Sequence, residues 1–269
     1  MTALPLSQSG KSALDVAAGA ARKAGKTLKT HFREKTQVKY KGRANIVTDI
    51  DLRSEEILKS FLLTEYPDHS ILSEESQPIT GSSSYKWILD PLDGTNNYSF
   101  GIPFFSIVIA LTEGEDVLLG IVYDPLRDEM FSAQRRKGAA LNNSPIHITR
   151  KKTVRESLIG LDLGYVDENG QKTLEFITSL WPEMYAYRIM GSAALGMAYA
   201  ACGRLDIYFH LLLYPWELAC GQLLVTEAGG VVTDLDGKPP KIGQGSVIAS
   251  NKAVHADFLR ILRPNFSEL

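Results

Sequence analysis

The segment Trp87-Ile88-Leu89-Asp90-Pro91-Leu92-Asp93-Gly94-Thr95 joins an apolar run to two aspartates, a glycine and a threonine. The apolar run predicts a buried strand, and the proline and glycine predict a turn where the strand ends. Two carboxylates about 4 Å apart repel by about 4 kcal/mol at an effective dielectric constant near 20, so packing alone does not favour this arrangement. A hard cation removes the repulsion. The segment therefore predicts a magnesium site at a strand end.

The composition is that of an ordinary globular protein. The chain has 269 residues, of which 44% are hydrophobic and 22% charged, so it is not largely disordered and has material for a normal core. The net charge of −2 predicts neither a nucleic-acid partner nor attraction to an anionic membrane. Size and composition thus favour one large domain or two closely packed halves.

The cysteines and the apolar runs bear on location. Cys202 and Cys220 lie in apolar segments and are expected to be buried free thiols, with a disulfide as the alternative. The N-terminus shows no signal-peptide pattern, and the longest apolar runs, such as 104–111, are too short to cross a bilayer. We expect a cytoplasmic protein without membrane contact.

The hydrophobic pattern changes along the chain. In the first part it predicts a helix over about 12–32, a second helix capped by Asp51, strands at 70–73 and 86–89, and antiparallel strands at 104–111, 117–123 and 129–133. Later, strands near 157–161, 187–190, 206–210, 231 and 246–249 alternate with helices near 171–181, 193–202, 216–227 and 254–262. This pattern predicts an α+β half, residues 1–150, packed with an α/β half, residues 151–269. The boundary is expected near 145–155, and the halves are expected to form one functional unit.

Carboxylates end both short strands of the first half. Glu74 and Glu75 follow one strand and Asp90 ends the other, so Glu74, Asp90 and Asp93 can share cations if the strands are neighbours. The alternative is a solvated acidic turn. Gly94 permits a tight turn, and Thr95 can begin a helix whose free amides face an anion; a plain N-cap is the alternative. Carboxylates for a divalent metal beside amides for an anion suit a phosphate ester.

Four motifs resemble those of the inositol monophosphatase family, whose members are magnesium-dependent, lithium-sensitive phosphatases. Residues 87–95 are similar to its first signature, and 216–221 with 225–230 to its second; Ser73-Glu74-Glu75-Ser76 and 47–51 match two further segments in the same order. The resemblance spans about residues 12–262. Together with the order of elements, it implies an α+β fold built as a layered αβαβα sandwich, a homodimer, and a relation to the fructose-1,6-bisphosphatases.

The resemblance also implies a role for each matching residue. Glu74, Asp90 and the carbonyl of Leu92 would hold a first Mg²⁺, and Asp90, Asp93 and Glu217 a second, with a third and weaker ion near Glu74. Thr95, hydrogen-bonded to Asp51, would orient or deprotonate the attacking water; Glu74 is also counted as catalytic. Expected substrate contacts are Asp93, Gly94, Thr95, Gly191, Ser192, Ala193, His210 and Lys41. For the Gly191 segment the alternative is a closely packed helix start, and for Lys41 a surface lysine in a loop.

Two positions depart from the family pattern. Glu217 stands where the second signature has aspartate; we interpret it as a metal ligand, as glutamate is in the fructose-1,6-bisphosphatases, with helix capping as the alternative. His210 stands where inositol-cleaving members have a glutamate that binds ring hydroxyls. We expect His210 to contact the substrate; the alternative is that it only ends a strand. This second departure puts inositol itself in doubt as the substrate.

The leading hypothesis is therefore magnesium-dependent hydrolysis of a small sugar or polyol phosphate by metal-activated water. Alternatives are a fructose-1,6-bisphosphatase, a histidinol-phosphate phosphatase and a 3′-phosphonucleotide phosphatase. A second phosphate would need cationic groups, for which Arg188, Arg204 and Lys172 are candidates. The alternative from another class is a regulatory binding protein that keeps the fold without turnover.

Overall fold

The computed structural model describes residues 4–266 as a mixed α+β fold with seven α-helices among them. The helices are α1 Ala13–His31, α2 Asp49–Glu65, α3 Thr95–Ser99, α4 Asp167–Leu180, α5 Ala193–Ala201, α6 Pro215–Glu227 and α7 Lys252–Leu262. The strands are β1 Val38–Gly42, β2 Asn45–Thr48, β3 Ser70–Ser73, β4 Tyr85–Asp93, β5 Ser106–Glu113, β6 Asp116–Asp124, β7 Glu129–Gln134, β8 Gly138–Leu141, β9 Ser144–Pro145, β10 Leu158–Leu161, β11 Ala186–Ile189, β12 Ile207–Leu213, β13 Val231–Thr233 and β14 Gly245–Ser250.

The elements stack in five layers, which confirms the predicted αβαβα sandwich. Helices α1 and α2 cover one face of a seven-stranded sheet in the order β3-β4-β5-β6-β7-β8-β9. Helices α5 and α6 lie between that sheet and a five-stranded sheet in the order β11-β10-β12-β14-β13. Along β12, Tyr208 packs towards α5 and α6, whereas Ile207 and Phe209 pack with α4 and α7. This alternation gives the second sheet an apolar layer on both faces.

The strand pairings match the expected change of character between the halves. Strands β4 to β9 pair antiparallel in chain order, as the short turns predict, and β3 pairs parallel with β4. In the second sheet, β10 runs parallel to β11 and β12, and β14 runs antiparallel to β12 and β13. The division into residues 1–150 and 151–269 stays a prediction, because α5 and α6 share one core with strands of both sheets.

The start of α2 corrects one prediction. Thr48, not Asp51, is the N-cap: its hydroxyl accepts from the amides of Ile50 and Asp51. Asp51 is the third helical residue and accepts from the backbone amide of Thr48, which completes a capping box. The capping box fixes the Asp51 carboxylate, because its Oδ2 is held by Thr48 while Oδ1 stays available to another partner.

Two further local predictions were wrong or incomplete. Lys41 does not lie in a loop: it belongs to β1, which forms an antiparallel hairpin with β2 that the sequence analysis missed. Strand β4 does not stop at Leu89 but continues through Asp93. Both cysteines are free, as expected, with Cys220 buried and Cys202 half-buried. Within residues 4–266, none of the helices combines the length and the apolar character that crossing a bilayer requires.

Candidate active site

The parallel pairing of β3 and β4 brings the predicted carboxylates together. Ser73 pairs with Leu89, and the next residue, Glu74, donates its backbone amide to the Leu89 carbonyl over 3.3 Å. Glu74 and Asp90 therefore follow paired positions at the same end of neighbouring strands. This is the arrangement on which the predicted shared site depends.

A β-bulge places Asp90 and Asp93 on one side of the sheet. Asp90 pairs with Val108 and Asp93 with Ser106, so β4 uses one residue more than β5 over this interval. Residues three apart in a regular strand point to opposite faces, and one extra residue reverses that. Pro91 fits the bulge because it has no amide to give to the ladder. The bulge therefore explains the spacing of the two aspartates.

Gly94 ends the strand in a conformation that favours glycine. Its φ is 93°, and a Cβ there would lie 3.0 Å from the Gly191 carbonyl oxygen and 3.1 Å from the Phe104 carbonyl oxygen. The close approach brings the segment before α5 against the end of β4.

Asp93 holds α5 against β4. Its Oδ1 accepts from the amide of Ala193 over 3.1 Å, and its Oδ2 accepts from the amide of Ala194 over 3.1 Å, from Ser106 Oγ over 3.0 Å and from Ser192 Oγ. Burial raises the pKa of Asp93 to about 6, while these hydrogen bonds oppose the rise. Since the donors of Ser192 and Ala193 are held by Asp93, their expected contact with substrate stays a prediction.

Asp162, which the sequence analysis did not single out, holds the same segment from the other side. It directly follows β10, and its Oδ1 accepts from the amides of Met190, over 2.9 Å, and Gly191, over 2.5 Å. Its Oδ2 accepts from the hydroxyl of Tyr208 over 2.8 Å. Burial raises the pKa of this carboxyl to about 7. With Asp93, Asp162 thus fixes the turn at Gly191.

Glu217 comes from the first turn of α6, after Pro215. Its Oε2 accepts from the amide of Tyr214 over 2.9 Å, so the predicted alternative, helix capping, is present. Burial raises the pKa of Glu217 well above its usual value, and Asp93 and Glu74 add to the rise. The same side chain therefore caps α6 and lies within electrostatic reach of the other carboxyl groups.

Thr95 and Asp51 meet as predicted. Thr95 Oγ1 lies 2.8 Å from Asp51 Oδ1 and 2.9 Å from the Leu92 carbonyl oxygen. Burial raises the pKa of Asp51 to about 6, against the hydrogen bonds from Thr48 and Thr95. The pair places a hydroxyl with an attached proton acceptor next to the carboxylate cluster.

Lys41 reaches this cluster from the β1–β2 hairpin. Its Nζ lies 2.8 Å from Glu74 Oε1 and 2.9 Å from Glu75 Oε1. Burial and the charge of Glu74 raise the pKa of Glu75 to about 7, and Lys41 opposes this rise. Lys41 is therefore the counter-ion of both glutamates, and a direct contact with substrate stays a prediction.

His210 lies in β12 and is buried. Its Nδ1 accepts from the amide of Leu212 over 2.9 Å, and burial lowers the pKa of the imidazole to about 4. The ring is therefore neutral near pH 7, and the hydrogen-bond network assigns its proton to Nε2.

These groups surround one cavity of about 500 Å³. The predicted residues on its wall are Lys41, Glu74, Asp90, Leu92, Asp93, Gly94, Thr95, Gly191, Ser192, Ala193, His210 and Glu217. Asp51 lies behind Thr95. The wall also contains five residues that were not predicted as site residues from the sequence: Asp162, Tyr165, Ile189, Tyr214 and Trp216. No charge pattern marks the apolar members of this second group; only their position beside predicted site residues could have indicated them.

The chemistry of the donor set fits a hard divalent cation. Burial raises the pKa of Asp90 well above its usual value, and repulsion from Glu74, Asp93 and Glu217 adds to it. Among residues 4–266, no three Asp, Glu, His or Cys side chains converge closely enough, as they stand, to hold one ion. Glu74, Asp93 and Glu217 are instead turned to Lys41, the α5 amides and the Tyr214 amide. Oxygen ligands of this kind are those that Mg²⁺ prefers, and a cation would relieve the repulsion.

The comparisons agree with the fold and the motifs. A model of the inositol monophosphatase family matches residues 11–265, and the chain belongs to that family. It is 35% identical over 256 residues to the Nus factor SuhB of Vibrio cholerae, covering 94% of this chain and 96% of the relative. It is 35% identical over 258 residues to inositol monophosphatase 1 of Solanum lycopersicum, covering 93% and 94%. The structure of an IMPase from Thermotoga maritima matches with a TM-score of 0.87 at 33% identity, covering 95% of this chain and 98% of that chain.

Proposed function

We propose that the chain hydrolyses a phosphate monoester of a small alcohol, of the sugar or polyol type, in a magnesium-dependent reaction. The observation that carries the proposal is that Glu74, Asp90, Asp93 and Glu217 line the same cavity, where burial and the charges of the other three raise the pKa of Asp90. A phosphate dianion is repelled by such a wall unless a divalent cation offsets the charge.

The proposed division of roles follows the donor set. Glu74, Asp90, Asp93, Glu217 and the Leu92 carbonyl would hold Mg²⁺, two or three ions as in the family. When bound, Mg²⁺ supplies neutralisation of the phosphate charge and a lower pKa for water. Thr95 would accept a hydrogen bond from the attacking water while it donates its own proton to Asp51. Water adds to phosphorus as the bond to the alcohol oxygen breaks, and the products are inorganic phosphate and the free alcohol.

The cavity favours a monophosphate over a bisphosphate. Among the described residues on its wall, Lys41 is the only lysine or arginine, and it is paired with Glu74 and Glu75. The candidate cations for a second phosphate lie elsewhere: Arg204 forms a bidentate pair with Glu129 at 2.6 Å, and neither Arg188 nor Lys172 lines the cavity. A fructose-1,6-bisphosphatase activity is therefore the less favoured enzyme reading.

The experiment is phosphate release from inositol, fructose, histidinol and nucleotide phosphates, with Mg²⁺ and Li⁺ titrated. We expect Mg²⁺-dependent turnover of at least one monoester, inhibition by Li⁺ and weaker activity on fructose 1,6-bisphosphate. No turnover of any ester at saturating Mg²⁺ would refute the proposal. Light scattering tests the homodimer, and fractionation of the host cell tests the cytoplasmic location; both come from the sequence analysis.

A second candidate function rests on the name of one relative. The Vibrio cholerae protein is called a Nus factor, which favours a regulatory binding role for this chain as well. The two candidates are separated by Asp51→Asn, which should lose turnover and keep the fold, expressed in a cell from which the gene for this chain has been deleted. If the chain acts as a phosphatase, cells that express the variant should keep the phenotype of the deletion. If its role is purely regulatory, the variant should restore the wild-type phenotype.

A further inference from the structure

The active-site cavity carries an apolar wall that catalysis at phosphorus does not use. We call the aromatic wall the set of side chains Tyr165, Val166, Ile189, Leu212, Tyr214 and Trp216, all of which line the cavity. Tyr165 is 46% exposed and Ile189 52% exposed. Large apolar side chains that stay exposed around a concave site indicate a surface on which a ligand buries apolar area.

Tyr165 joins this wall to the start of α3, next to Thr95. It lies between β10 and α4, and its hydroxyl is 3.5 Å from Nδ2 of Asn96, the residue after Thr95. Burial raises the pKa of the Tyr165 hydroxyl, and the charges of Glu74 and Glu217 add to this effect. The polar end of Tyr165 thus faces the groups around the phosphate, while its ring borders the space that the alcohol would occupy.

A second flat surface lies at the start of α6. The rings of Tyr214 and Trp216 stack with 5.2 Å between centroids and 5° between planes. Both residues flank Pro215 and precede Glu217, so the stacked pair is fixed to the same helix turn as a carboxylate of the cluster. Stacked rings next to a site offer a face to another planar group.

His210 supplies a neutral polar contact in place of a charged one. Its Nδ1 is used by the Leu212 amide, so Nε2 carries the hydrogen and can only donate. The backbone at Gly164 packs against the ring, since a Cβ on that residue would lie 3.2 Å from His210 Cε1. The imidazole is therefore held under the loop that carries Tyr165. The Nε2–H of His210 can donate to an acceptor atom on the substrate. It cannot accept from the hydroxyls of a polyol, as a glutamate at this position could.

We propose that the alcohol of the substrate carries, beside its phosphorylated part, an aromatic or heteroaromatic ring that packs on the aromatic wall. This inference rests on the proposed phosphatase function and specifies the part of the alcohol that lies away from the phosphate. The ring is a planar apolar group, and a ring nitrogen or carbonyl oxygen would accept from His210. An apolar wall with a few placed polar groups is the usual lining of a small-molecule pocket, and this wall offers a ring apolar contact and one donor.

The test compares two monoesters that differ only at the distal end, 2-phenylethyl phosphate and 2-hydroxyethyl phosphate. We expect kcat/KM to favour the phenyl ester by at least 10-fold, mainly through KM. Tyr165→Ala should reduce this preference several-fold, and Tyr165→Phe should retain it because the ring remains. The matched control is Tyr187→Ala on β11: Tyr187 is also exposed but does not line the cavity, so the preference should equal that of wild type.

A binding measurement keeps this inference separate from the proposed function. The nonhydrolysable phosphonates of the same two alcohols are titrated calorimetrically in the presence of Mg²⁺. If the phenyl phosphonate binds more tightly than the hydroxyethyl phosphonate and Tyr165→Ala abolishes this difference, the inference is supported. This holds even if no ester is hydrolysed, a result that would refute only the proposed phosphatase function. Equal kcat/KM for the two esters and equal phosphonate affinities would overturn the inference and leave the phosphatase standing. Thermal melting of each variant checks that it is folded.

Discussion

Thr95 donates a hydrogen bond to Asp51 over 2.8 Å, although 44 residues separate the two in sequence. Asp51 is fixed by the capping box of α2, and Thr95 is fixed by the turn that ends β4. Both side chains are buried, and the second oxygen of Asp51 is already held by Thr48. Thr95 Oγ1 carries one proton and has two acceptors, Asp51 Oδ1 at 2.8 Å and the Leu92 carbonyl oxygen at 2.9 Å. With the proton in the shorter contact, to Asp51, a lone pair of Oγ1 remains to accept from water.

The first prediction concerns this pair. Asp51→Asn keeps the shape of the side chain but removes the proton acceptor, so kcat should fall by about 10²–10⁴-fold, the usual contribution of a general base. The thermal midpoint should change little, because an amide oxygen can still accept in the capping box. Steady-state kinetics and thermal melting measure the two effects. Asp49→Asn, in the same helix turn, is the control and should keep wild-type kcat. If Asp51→Asn also kept wild-type kcat, Asp51 would not act as the proton acceptor for Thr95.

The parts of the site that the sequence could indicate are local in the chain. The carboxylates Asp90 and Asp93 and the turn at Gly94 are indicated by adjacent residue types, although the bulge that continues β4 to Asp93 was not predicted. The strand that precedes Glu74 is recognisable by its own pattern. The contacts between Asp93 and the start of α5 are of another kind: Ser192 lies 99 residues away, and no local pattern indicates that it would meet this carboxylate. Such contacts depend on how α5 packs against the first sheet.

The same distinction accounts for the errors. Aspartate favours the N-cap position, so the sequence predicts Asp51 there, but Thr48 occupies it and Asp51 is the reciprocal partner in the capping box. The β1–β2 hairpin was missed because all five residues of β1 are exposed, so the strand has no buried alternation to read. Tyr165 was not predicted because a single aromatic residue in a loop gives no pattern in the sequence. Its place on the cavity wall is visible only in the folded structure.

The second prediction tests Glu217 as a ligand rather than only a cap. Glu217→Gln keeps an oxygen to accept from the Tyr214 amide, so α6 should stay capped. Loss of the charge should weaken Mg²⁺ binding by about 10-fold or more, equivalent to about 1.4 kcal/mol. The upward shift of the thermal midpoint on adding Mg²⁺ should shrink accordingly. In the absence of Mg²⁺ the variant should be at least as stable as wild type, because a buried like charge is gone.

The control for this variant is Glu168→Gln. Glu168 is an exposed glutamate in the first turn of α4, the same helical context without the cavity. It should leave both the Mg²⁺ titration and kcat at wild-type values. A Glu217→Gln protein with the wild-type Mg²⁺ response would show that Glu217 only caps α6.

The third prediction links packing to the site. A Cβ at Gly120 of β6 would lie 2.7 Å from Cys220 Sγ and 3.2 Å from Cys220 Cα, so glycine lets α6 approach the first sheet. Gly120→Ala should cost about 1–3 kcal/mol in the free energy of unfolding, through overpacking. It should also weaken Mg²⁺ binding, because α6 carries Glu217. Urea denaturation and a Mg²⁺ titration measure these effects.

Two further variants test whether the contact with Cys220 causes the loss of stability in Gly120→Ala. Gly120→Ala combined with Cys220→Ala removes the clashing sulfur and should recover part of the lost stability, although the contact with Cα remains. Gly245→Ala, where a Cβ would meet nothing within 4 Å, is the control and should leave both quantities near wild type. If Gly120→Ala and Gly245→Ala were equally stable, the close approach of α6 to β6 would be wrong.

The fourth prediction concerns acid stability and a histidine outside the site. His255 Nδ1 lies 2.9 Å from Ser250 Oγ, and Nε2 lies 2.9 Å from Thr233 Oγ1. Thr233 already donates to the Asp234 carbonyl, so it accepts from Nε2–H, and Ser250 donates to Nδ1. This network suits the neutral ring, and burial lowers the pKa of His255 to about 4, from 6.5 in the unfolded chain.

Since the folded pKa lies below the unfolded one, the unfolded chain binds the proton first as the pH falls. The free energy of unfolding should therefore decrease between about pH 6.5 and pH 4, by up to about 1.4 kcal/mol per pH unit from this residue. At pH 8 the free energy of unfolding of His255→Phe should be lower by about 1–3 kcal/mol, because two buried hydroxyls lose a partner. Its free energy of unfolding should, however, fall less steeply between pH 6.5 and pH 4, by up to about 1.4 kcal/mol per pH unit. Urea denaturation at pH 8, 6 and 5 measures both changes. Parallel pH profiles for the two proteins would mean that His255 takes up its proton in the folded state, contrary to the neutral network with Ser250 and Thr233.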